Sequence, residues 1–103
     1  MNINTTDERL NGTWKDYTTG YGFYFKFKFN EDKNEGYFET DEFPNRSIAS
    51  GKCYASNKSL LTLLADNPDG TVDSIMAAYE ISGNKLILIH MGGNRAVYEK
   101  LGW

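Results

Sequence analysis

Between residues 21 and 29 the chain carries an aromatic ring at every second position. Tyr21, Phe23, Phe25, Phe27 and Phe29 alternate with Gly22, Tyr24, Lys26 and Lys28. Alternate side chains of a strand share one face, whereas a helix would scatter the five rings around its circumference. The pattern predicts a strand over 21–29, with an aromatic inner face and a basic outer face. The turn-forming residues 30–36 then reverse the chain into a second strand over 37–43. With a four-residue loop, Phe27 faces Phe38 and Lys26 faces Glu39, which satisfies both faces at once. The same register directs Thr40 and Glu42 inward. Glu42 is then expected near a barrel mouth, because a deeply buried unpaired carboxylate is costly.

The same reading, short period-2 stretches bounded by turn residues, gives six further strands. They cover 10–17 (with Trp14), 46–55, 59–65, 72–82, 85–90 and 94–101. Their separators are Pro44-Asn45, Ser56-Asn57-Lys58, the cluster Asp66-Asn67-Pro68-Asp69-Gly70, Gly83-Asn84 and Gly92-Gly93. Every link is short, so neighbours are antiparallel. Eight such strands can close first on last, which removes the exposed edges. The expected fold class is therefore all-β, an eight-stranded antiparallel up-and-down barrel forming one domain over 1–103. The run 59–65, with Leu60, Leu61, Leu63 and Leu64, also suits a short helix, although its length and turn-rich flanks favour a strand. Thr6-Asp7-Glu8-Arg9-Leu10 offers a helix-capping residue followed by acids, and predicts one helical turn that plugs an end of the barrel.

Several of these segments resemble a known family. Leu10-Asn11-Gly12-Thr13-Trp14 resembles the Gly-x-Trp opening of lipocalin-like (calycin) barrels. Residues 79–88, Tyr-Glu-Ile-Ser-Gly-Asn-Lys-Leu-Ile-Leu, resemble the late hairpin of small bacterial lipocalin-like domains, and Tyr98-Glu99-Lys100 resembles their last strand. The resemblance implies a ligand-binding barrel. It also implies that Lys100, where the family usually has Arg, packs over Trp14 in a cation–π contact of about 0.5–1 kcal/mol. The chain is much shorter than vertebrate lipocalins, which implies a smaller cavity.

Composition narrows the function. A chain of 103 residues supports one core, and its fifteen aromatics, seven tyrosines, six phenylalanines and two tryptophans, make up a large part of it. The lone Cys53 excludes a disulfide scaffold. No apolar run is long enough to span a bilayer as a helix. The net charge of −3 argues against nucleic acid as the main partner. Six acids and one lysine between Glu31 and Glu42 give that stretch −5 and leave +2 elsewhere. Such a run suits a solvated hairpin tip or an acidic docking surface for a basic partner. The N-terminus lacks the basic and apolar regions of a signal peptide. The expectation is a cytoplasmic chain, or a mature chain from which a leader has been removed.

Candidate chemistry is thin. His90, the single histidine, shares a face with Leu86 and Leu88 at a strand end. It reads as a satisfied rim residue or as a ligand-binding imidazole. Cys53 alternates with Gly51 and Ala55, as a packed small residue does. One His and one Cys do not make a zinc site, the acidic run lacks calcium-loop spacing, and Gly92-Gly93 reads as a hairpin turn rather than a phosphate loop. No enzyme, metal or cofactor is expected. The inward candidates are Trp14, Phe23, Phe25, Phe27, Phe38, Tyr79, Ile81, Leu86, Leu88 and Tyr98. These rings either fill the barrel or wall a compact pocket. In the pocket reading, Phe23, Phe25, Phe27, Phe38, Glu42, Tyr79, His90 and Tyr98 contact a small apolar or aromatic ligand, while Trp14 and Lys100 close the barrel. The resemblance to small calycin-like barrels, some of which inhibit proteases through their N-terminal segment, implies the alternative, a protease-inhibitor or immunity-type module that grips a protein through residues 2–7 and the acidic hairpin.

Overall fold

The aromatic alternation around Phe25, Phe27 and Phe29 sets the geometry of the whole sheet. The computed structural model describes residues 5–17, 23–41, 48–90 and 92–102. Its strands are β1 (Gly12–Asp16), β2 (Tyr24–Asn30), β3 (Glu35–Thr40), β4 (Ala49–Ser56), β5 (Leu60–Asp66), β6 (Val72–Ser82), β7 (Lys85–His90) and β8 (Arg95–Gly102). Each pairs antiparallel with the next, and β8 pairs back onto β1, so the sheet closes into a barrel. Phe27 lies opposite Phe38 and Lys26 opposite Glu39, the register that the alternation predicts. Among the described residues, no helix is long and apolar enough to cross a membrane.

Several boundaries differ from expectation. β1 starts at Gly12, not Leu10, because Leu10 completes a 3₁₀ turn over Glu8–Leu10. The capping residue of that turn is Asp7, not Thr6, and its carboxylate accepts a hydrogen bond from the Arg9 amide at 3.1 Å. β3 starts at Glu35, since pairing runs to the end of the hairpin at Asn30 and Glu35. Leu60–Asp66 is a strand, paired on both sides, and not a helix. The expected strand segments at 21–22, 42–43 and 46–47, Glu42 among them, lie outside the described residues.

The core is built from unlike walls. Trp14, Phe25, Phe27, Phe29 and Phe38 bring large side chains from β1–β3, while Ala49, Cys53, Ala55 and Ala65 bring small ones from β4 and β5. Leu61 and Leu63 of β5, with Tyr79, Leu86, Leu88 and Tyr98, also face the interior, each at most 5% exposed. Ile81, expected among them, is only half-buried and packs against the cluster. The Phe25 and Phe27 rings stack at 5.7 Å, and Tyr98 meets Phe25 edge-on at 5.3 Å. Both geometries are favoured arrangements of aromatic pairs.

At Gly36 the space for a side chain is already taken. A Cβ there would lie 2.5 Å from the Phe29 ring and 2.7 Å from the Cys53 carbonyl oxygen. Gly36→Ala is therefore expected to cost about 1–3 kcal/mol, the usual range for overpacking. Urea unfolding checks this, and an unchanged midpoint would show that the Phe29 ring yields without cost.

Candidate functional site at the barrel mouth

The two ends of the barrel are chemically different. At the base lie the β2–β3, β4–β5 and β6–β7 turns. The segment before β1 folds across this end. The Ala55 amide donates to the Thr5 carbonyl at 2.8 Å, and the Thr5 hydroxyl donates to the Asn34 side chain at 2.9 Å. Thr6, Asp7 and Leu10 are fully buried. The Trp14 indole N–H donates to the Leu10 carbonyl at 2.8 Å. The Asn11 side chain accepts from the Phe29 amide at 2.6 Å and donates to its carbonyl. Lys100 Nζ sits 5.5 Å from the centroid of the Trp14 ring, and the two residues are cross-strand partners.

Asp7 is the buried charge of this plug. Its carboxylate accepts from Tyr79 Oη at 2.7 Å, Arg9 Nη2 at 2.7 Å and Arg9 Nε at 2.9 Å. Burial alone would push the Asp7 carboxyl up. The hydrogen bonds from Arg9 and Tyr79 outweigh it and hold the group below its ordinary 3.8. Burial and the Asp7 bond push the Tyr79 phenol far up, so its hydroxyl serves as a donor to Asp7 at the base. Sequence reasoning placed Tyr79 among the ligand contacts and gave Asp7 only a place in a helical turn. The partner, 72 residues away, leaves no local sequence signal.

The remaining site candidates sort by depth. Phe25, Phe27, Phe38 and Tyr98 are buried in the body of the barrel, and Phe29, absent from the candidate set, joins them. Phe23 and His90 are half-buried at the opposite end, the mouth. His90 closes β7, and its backbone holds the 90–94 turn through bonds with Asn94 and Gly93. Ile75, two residues beyond the last β6–β7 pair, is half-buried at the same end. The mouth also carries exposed apolar groups. Ile48 (60%) and Val72 (52%) stand where β4 and β6 begin, whereas Tyr17, just past β1, lies on the outer wall with Lys85 Nζ 3.5 Å from its ring centroid.

Cys53 is fully buried at mid-strand, and burial pushes its thiol up to about 12. It is a neutral packing residue at pH 7, without the thiolate that nucleophilic chemistry requires. Among the described residues, no cluster of three metal-ligating side chains forms. The acidic hairpin divides in two. Glu31, Asp32 and Glu35 are exposed near its tip. Glu39 accepts from Tyr24 Oη at 2.8 Å, and Asp41 accepts from the Tyr24 amide.

The Asp7 contacts fix a pH dependence. A carboxyl that titrates lower when folded stabilises the protein fully above its ordinary 3.8, and this contribution is lost as pH falls through the folded-state value. Asp7→Ala is expected to cost about 1–3 kcal/mol, mainly because the buried Tyr79 hydroxyl loses its acceptor. It should also flatten the acid limb of a stability curve recorded by urea unfolding between about pH 2 and 6. An unaltered acid limb would show that other carboxylates set the acid response.

No protein-family model matches the chain, no curated protein matches it, and no solved structure matches it.

Proposed function

We propose that the chain is a non-enzymatic, lipocalin-like binding protein that holds a small apolar or aromatic ligand at the barrel mouth. The reading rests on the incompletely covered apolar side chains at that end, Phe23 and Ile75 inside and Ile48 and Val72 at the rim. Apolar surface left open beside a few polar groups is what a small-molecule site presents. The His90 imidazole is the polar handle that faces the same end. The body of the barrel favours the mouth over an interior site, since its rings are at most 5% exposed and already pack on one another. The pairing of Trp14 with Lys100 and the N-terminal plug support the family likeness.

A protein partner at the hairpin tip is the second reading, favoured by the exposed acids Glu31, Asp32 and Glu35. The N-terminal half of that earlier contact surface is not retained, because Thr6 and Asp7 are buried. Residues 2–4 lie outside the described residues.

One titration separates the readings. Isotope-labelled protein is followed by NMR against fatty acids and aromatic metabolites at about 1 mM, where weak ligands register. Saturable shifts are expected at Phe23, Ile75 and His90, with the Phe27 and Phe38 amides little changed. No saturable shift across the panel, or shifts confined to 31–35, removes the mouth as the binding site.

A further inference from the structure

β2 alternates cleanly between rings inside and lysines outside, but β5 and β7 do not. Leu60, Leu61, Leu63 and Leu64 on β5, and Leu86, Ile87, Leu88 and Ile89 on β7, are apolar on both faces. A strand of that kind normally has both faces covered. The inner faces, Leu61, Leu63, Leu86 and Leu88, are in the core. The outer faces line up across the sheet. Leu60, Ala78, Ile89 and Arg95 form one cross-strand row, and Glu80, Ile87 and Val97 form the next. Thr62 and Met76, the latter 45% exposed, extend the patch along β5 and β6.

Two charges mark this patch. Glu80 on β6 and Arg95 on β8 are both exposed, and they occupy diagonal corners around Ile87 and Ile89. Neither makes an ion pair within the chain among the described residues. The midpoint of that diagonal lies on β7, between Ile87 and Ile89. An in-plane two-fold axis through this midpoint, perpendicular to the diagonal, places Glu80 of each copy over Arg95 of the other. The same operation stacks the two isoleucine pairs at the centre. An isologous interface requires a surface of this kind, complementary to itself, with an apolar centre and charges at its rim.

We infer that the outer face of β5–β8 is the interface between two copies of this chain, closed by reciprocal Glu80–Arg95 ion pairs around Ile87 and Ile89. Contact confined to these rows of side chains belongs to the small, weak and reversible class of interfaces. Rim charges of this kind chiefly set orientation and exclude wrong pairings.

Sedimentation velocity over about 1 µM to 1 mM protein tests the inference, a range suited to weak association. The native chain is expected to shift from monomer to dimer within it. Arg95→Glu sets like charges against each other and should weaken association about tenfold or more. The double variant E80R/R95E restores opposite charges with reversed polarity and should regain association to within about threefold. Ile87→Lys with Ile89→Lys should abolish it. All four positions face outward, so circular dichroism should show an unchanged fold. A chain that stays monomeric throughout overturns the inference, and so does a dimer indifferent to the isoleucine changes or an R95E defect that E80R does not rescue. A monomer that floats with phosphatidylcholine vesicles assigns the face to lipid and overturns it equally.

Discussion

A closed sheet of eight strands encloses a volume set by strand number and stagger, and side chains must occupy it. The rings of β1–β3 supply a large part of that volume. They fit because β4, paired beside β3, withdraws, with Ala49, Gly51, Cys53 and Ala55 along it. On β3 itself Gly36 makes room in the same way, since the ring of its cross-strand partner Phe29 and the Cys53 carbonyl occupy the place of its missing side chain. At Gly51 a side chain would fall onto the Leu64 carbonyl oxygen. Large against small, wall against wall, is how a narrow barrel reaches dense packing without voids.

The filled interior shapes both ends. At the base, the 3₁₀ turn seals the barrel with Leu10 and carries Asp7 into a fully buried site. A buried carboxylate is tolerable there because Tyr79 and Arg9 direct three side-chain donor bonds onto it. The arrangement ties the first residues of the chain to the middle of β6, so the plug is part of the fold. With base and body occupied, the mouth is the end left for the ligand proposed above, beside Phe23, Ile48, Val72 and Ile75.

What the sequence made legible follows the strength of local periodicity. The β2–β3 register was readable because two constraints agreed, rings inside and opposite charges outside, and a slip of one residue would break both. Val72–Ser82 and Lys85–His90 were readable to the residue because Gly83-Asn84 fixes the turn between them. The Asp7–Tyr79 bond was not readable, because it joins residues with no shared pattern. The expectation that Tyr79 contacts ligand failed to anticipate this donor role for the same reason. The alternation of Gly51, Cys53 and Ala55 on β4 was visible as small-residue packing, but not that it makes room for the neighbouring rings, because alanine and glycine carry little hydrophobic signal. Their meaning appears only when those rings are placed.

The ambiguity of 59–65 has the same origin as the outer patch. A run apolar at nearly every position suits a helix or a strand covered on both sides, and periodicity alone does not separate them. The backbone settles it as a strand, with Leu61 and Leu63 inside and Leu60 and Leu64 outside. The outward leucines have no room within the barrel, because Trp14, Tyr79, Tyr98 and the β2 rings already fill it. The apolar surplus of β5 and β7 must therefore lie on the outside, where single exposed residues are ordinary but aligned rows across four strands are not. Alternation on β2 reports a strand with one wet face. Its failure on β5 and β7 marks an outer face that only something beyond the barrel, such as the second copy inferred above, can cover further.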